Sequence, residues 1–163
     1  MSGRPLPGIP PALAFGRVPM VAWLQAGPKG VDRVVGATPP EAPLQQLGPT
    51  GGGSDGLPAA TAGANGELWV FAARSDGTGS RLWAQPFRRG RWQSPLAGPR
   101  ARTWDHHPAA AASGDGGLWL VWVSEGERPA AAGLFASHWN GNFWSPAEPL
   151  PAASGTPMAP SID

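Results

Sequence analysis

Apolar residues along this chain gather in short runs of about six, with Gly, Pro, Asn or Asp in the segments between them. Leu68 to Ala73, Leu82 to Phe87, Leu118 to Val123 and Leu134 to Trp139 are such runs. No stripe with a 3.6-residue period continues for a useful length, and frequent Pro and Gly would break one. The pattern predicts short β-strands joined by tight turns. Asn65-Gly66 and Asp115-Gly116 stand where two-residue hairpin turns are expected, as do Arg89-Gly90 and Asn140-Gly141. Ala109 to Ala112 has helix propensity, but it is only four residues long. Its counterpart one unit earlier reads Ala-Ala-Thr-Ala, so it is taken as strand.

That counterpart exists because the chain repeats. Pro58 to Phe71 aligns with Pro108 to Val121 without a gap at an offset of 50. Arg81-Leu82-Trp83-Ala84 aligns with Gly133-Leu134-Phe135-Ala136 at 52, the difference falling in a loop. A fainter copy, Pro10 to Leu24, fits Pro58 to Ala72 at 48 and places Val21-Ala22-Trp23 on Trp69-Val70-Phe71. Each unit holds a small inner strand, a strongly apolar second strand, a third strand and a fourth around Trp92 or Trp144. Four strands at this period predict an all-β chain of β-propeller-type blades. The expected division is an N-terminal tail (1–9), blades at 10–57, 58–107 and 108–157, and the first strand of a further blade at 158–163. Trp69, Trp83, Trp92, Trp119 and Trp144 recur at equivalent places and are expected to fill the space between blades, with Leu68 and Leu118 buried beside them.

Composition changes this picture in two ways. The 24 Gly and 21 Pro would suit a disordered chain, yet the net charge of only +1 and nine Trp argue for a packed one. The chain has no Cys and no Tyr, which removes disulfides, thiolate sites and phenol chemistry. Balanced charge offers no field for nucleic acid, and no run approaches the 18 apolar residues of a membrane span. The first 17 residues lack the continuous apolar core of a signal peptide, so the compartment stays open. No cofactor or metal is expected. Arg88-Arg89-Gly-Arg91 reads as a solvated basic turn.

The blade pattern, as in Asp115-Gly-Gly-Leu-Trp-Leu-Val-Trp122 and His138-Trp-Asn-Gly-Asn-Phe-Trp-Ser-Pro146, resembles bacterial sialidase-like propellers and propeller lectins. The resemblance implies a propeller scaffold from about Pro10 to Asp163. Its departures matter as much. Ser113-Gly-Asp115-Gly-Gly117-Leu-Trp119 is close to the Asp-box of sialidases, but its Trp comes one residue early and on a different turn. Sialidases attack with a Tyr, which this chain lacks, and three blades could hold only part of their arginine set. The expectation is therefore a non-catalytic, lectin-like module that binds glycan. The alternative is a structural or protein-interaction propeller, or a piece of a larger glycosidase-like protein.

A site is expected on the face shared by the loops between second and third strands and the connections between blades. One cluster there departs from the repeat: Arg100-Ala-Arg102-Thr-Trp104-Asp105-His106-His107, opposite Gly51-Gly-Gly-Ser-Asp55-Gly-Leu57. An aromatic face with donors and acceptors suits a sugar. Trp104, Arg102, Asp105, His106 and His107 are the candidate ligand residues, with Arg74 from the neighbouring loop. Adjacent His on a strand point to opposite faces, which argues against a shared metal ion. Propellers close with four to eight blades. Three therefore imply a homo-oligomer or the missing part of a longer chain.

Overall fold

The computed structural model describes residues 6–38, 43–126, 132–151 and 160–162. Among them the chain is all β apart from a single 3-10 turn at Pro28–Gly30. The first blade is an antiparallel sheet of β1 (Ala12–Phe15), β2 (Pro19–Ala26), β3 (Asp32–Ala37) and β4 (Gln45–Gln46) in chain order. The second has a two-piece inner edge, β5 (Ser54–Asp55) and β6 (Ala59–Ala62), both paired with β7 (Leu68–Ser75). β8 (Ser80–Arg88) follows, with β9 (Arg91–Trp92) and β10 (Leu96–Ala97) as a two-piece outer edge. The third consists of β11 (Trp104–Ala112), β12 (Leu118–Glu125), β13 (Gly133–Trp139) and β14 (Glu148–Pro149). The strand expected at 158–163 falls largely outside the described residues.

The turns follow their sequence. Arg89 and Gly90 both take positive φ (53° and 74°), as the favoured two-residue hairpin demands. Asp115 accepts the Gly117 N–H at 3.0 Å, and that bond, with the Ser113 hydroxyl, holds its carboxyl below the usual range. Asp76 is lowered in the same way by Thr78.

Strand alternation gives each blade two flanks, and the blades stack flank to flank. In the first seam Met20, Ala22, Leu24 and Val34 meet Leu68, Val70, Ala72 and Trp83. In the second, Trp69, Phe71, Ala73 and Leu82 meet Leu118, Leu120, Trp122 and Trp139. Trp69 lies edge-on to Trp139, with ring centroids 5.8 Å apart. The second blade is thus buried on both sides. A parallel pairing of Trp104 with Ser80 stitches the second seam, reinforced by Ser80 N–H to the Thr103 carbonyl at 3.0 Å. The Ser80 hydroxyl adds a bond to the Asp105 carbonyl at 2.8 Å.

Two expectations are corrected. In the first blade Met20 and Ala22, not Val21 and Trp23, face the second blade, so β2 matches β7 at an offset of 49. The β1–β2 turn has three residues (16–18) where the next blade has five (63–67). A one-residue slip exchanges the faces of a strand. Trp23 therefore points away from the second blade. The second correction is Trp119, which is 41 % exposed although its twin Trp69 is fully buried. Trp69 has a blade beside it; the flank that carries Trp119 has none among the described residues. Leu68, Leu118, Trp69 and Trp83 are buried as expected, and Trp92 and Trp144 pack against the two cores.

Candidate functional site

The connection 98–103 leaves the outer edge of the second blade and enters the inner strand of the third at Trp104. Trp104 is half-buried and stands opposite Glu125 in the strand register. The register then shifts between His106 and Ala109, which is a β-bulge. At its centre His107 holds φ at +50°, a conformation that costs a non-glycine residue about 1–3 kcal/mol. The bulge overrides the usual alternation. His106 and His107 do not diverge: their rings lie 4.6 Å apart, near perpendicular, with the two Nδ1 atoms 3.0 Å from each other. That contact requires one ring to donate and the other to accept. On its other side His106 Nε2 lies 3.3 Å from Glu125 Oε1. Glu125 is the member that sequence reading missed. It was visible as the strand partner of Trp104, but only once the register was known. No group of three or more His, Asp or Glu side chains converges as a metal site among the described residues.

Asp105 is a different matter. It is fully buried and accepts the Trp122 indole N–H at 2.9 Å and the backbone N–H groups of Ala101 and Arg102 at 3.3 and 3.4 Å. Asp55, 50 residues earlier, does the same work in the first seam. It accepts the Trp83 indole at 3.3 Å and, across the seam, the Val34 N–H at 3.1 Å. The carboxylate therefore belongs to the repeat and to blade packing, and is not free to meet a ligand. The signal was present in the alignment, where Asp falls on Asp.

Arg74 is likewise committed. Its Nε and Nη2 hold both oxygens of Asp55 at 2.7 and 2.8 Å, and Nη1 donates to the Pro49 carbonyl. It lines a cleft of about 350 Å³ with Asp76, Arg81 and Trp83, in the seam before the one that holds Trp104. Arg102 packs its guanidinium 5.1 Å above the Phe135 ring and leaves Nη1 buried with no hydrogen-bond partner. Of the six expected residues, Trp104, His106 and His107 thus share the first half of β11 with Glu125 across from them. Asp105 and Arg102 support them from the seam, and Arg74 stands apart.

No family model and no curated protein sequence matches the chain. Solved structures do. TolB from Acinetobacter baumannii superposes with a TM-score of 0.52 at 10 % identity, covering 85 % of this chain and 32 % of that one. A thermostable family-43 glycoside hydrolase superposes with a TM-score of 0.57 at 11 % identity, covering 91 % and 55 %. Both are propellers. The blades are β-propeller blades. At these identities the likeness concerns the propeller scaffold alone, and the chain spans a third to about half the length of these proteins.

Proposed function

We propose that this propeller chain is a non-catalytic, lectin-like module that holds a carbohydrate on its loop face, around Trp104, His106, His107 and Glu125. The observation that carries the reading is the bulge. The chain holds a non-glycine residue in a strained backbone conformation, and the result is a concentration of donors and acceptors beside a half-buried indole. Strain of this kind gathers at ligand sites. An aromatic face with imidazole and carboxylate groups fits the C–H face and hydroxyls of a sugar. The resemblance of the blade sequence to sialidase-like and lectin propellers supports the same ligand class. The absence of Tyr from the sequence argues against sialidase-type attack.

A glycan array, followed by titration of the best ligand against Trp fluorescence, tests the reading. Binding is expected, and Trp104→Ala should abolish it while the melting temperature changes little. Intact binding in Trp104→Ala, or no glycan bound at all, would remove this site.

A further inference from the structure

The two internal seams define which flank of a blade meets which. A flank built like Trp69, Phe71 and Ala73 always receives one built like Leu118, Leu120 and Trp122. Among the described residues, one flank of each kind meets no further blade. On the third blade the open flank carries Trp119, Val121 and Val123 of β12 with Leu134 and Ala136 of β13, paired across the register. On the first it carries Pro19, Val21 and Trp23 of β2 with Val35 and Ala37 of β3. Leu13 and Phe15 of β1 extend that surface and are 57 % and 75 % exposed.

Charge enters these two rows only at their loop ends, where Arg33 follows Val35 opposite Gln25 and Glu125 follows Val123 opposite Trp104. Both keep the apolar character of the covered seams; Trp119 is exposed, Val121, Val21 and Trp23 are half-buried, and Val123, Ala136 and Val35 are already buried within the single chain. Trp23 is informative. By the corrected register it matches Trp122, whose indole donates to Asp105, yet the Trp23 indole N–H is buried without a partner, and so is the neighbouring Gln25 Oε1. A buried donor and acceptor left unmade are costly, so a packing partner that lets these two side chains turn toward an acceptor and a donor would be stabilising.

We propose that the two flanks belong to one interface and that its occupant is a second copy of this chain. The third blade of each copy packs on the first blade of the other. The contact is head to tail within each seam, and because it occurs twice about a two-fold axis it closes. Three blades from each copy give a six-bladed ring, within the range of four to eight in which propellers close. The proposed glycan residues Trp104 and His106 stand opposite Glu125 and Val123 at the loop end of this same third-blade flank, so the two readings are separated by their readouts, glycan binding for one and mass for the other.

Light scattering on the eluting full chain tests it. The expected mass is twice 16.8 kDa at micromolar concentration. Phe15→Asp and Leu13→Asp should return the monomer mass with the circular dichroism of the parent, since neither side chain is buried in the single chain. Trp119→Glu should do the same from the opposite flank. A monomeric parent would overturn the proposal, as would an open-ended series of masses. So would a dimer that survives Phe15→Asp and Trp119→Glu together, since it would use another surface.

Discussion

Two buried aspartates at equivalent positions reach the same end by different means. Asp55 is neutralised by a bidentate arginine, while Asp105 relies on an indole and two backbone N–H groups. The strand partner of Asp105 is Ser124, where Asp55 has Arg74. Removing one member of a buried ion pair strands the other, so Asp55→Ala should cost about 3–5 kcal/mol in urea unfolding. Replacing Asp55 and Arg74 together by Leu should cost clearly less, because no charge is left uncompensated. Asp105→Asn retains an oxygen for the indole and should lose only about 1–3 kcal/mol. Equal losses for Asp55→Ala and the double variant would show that the charge pair is not what matters there.

At the scale of strands, most of the fold was legible. The 50-residue offset located β6 with β11 and β7 with β12, and the 52-residue offset located β8 with β13, because side-chain volume recurs there. The first blade was misread for a physical reason. Its β1–β2 turn is two residues shorter than its counterpart, and identity of small residues such as Ala cannot fix a register when faces alternate every residue. The corrected register makes a sharp expectation. Met20→Ala should cost about 2–5 kcal/mol as a large-to-small core change. Val21→Ala, one residue on and facing the open flank, should cost less than half as much in a monomeric background such as Phe15→Asp. The reverse order in thermal unfolding would restore the original alignment. The candidate site was legible as composition but not as geometry. Trp104, His106 and His107 were found as departures from the repeat. The bulge that turns the two imidazoles together leaves no mark in residue identity, and the structural duty of Asp105 follows only from its burial.

Across the described residues of a single chain, the second blade is the one with neighbours on both sides, and both apolar clusters pass through β7. Local opening is rarest where burial is greatest. Hydrogen exchange on the monomeric Phe15→Asp chain should therefore find the slowest amides in Leu68–Ala73, with faster exchange in β1 and β14 at the edges. Equal protection of all three blades in Phe15→Asp would show that the seams unfold as one unit.

The indole that reaches the buried carboxylate changes strand from blade to blade. In the second blade it is Trp83, opposite Ala72; in the third it is Trp122, opposite Phe135. The two members of the cross-strand pair have exchanged the large ring while its N–H still finds the aspartate at the start of the inner strand. Descent by duplication has therefore kept a relation between two columns and let each column drift. A profile that scores columns one at a time registers Ala against Trp and Trp against Phe as plain mismatches. Tracing the ancestry of such blades calls for scoring paired positions jointly, since the heritable unit here is the pair.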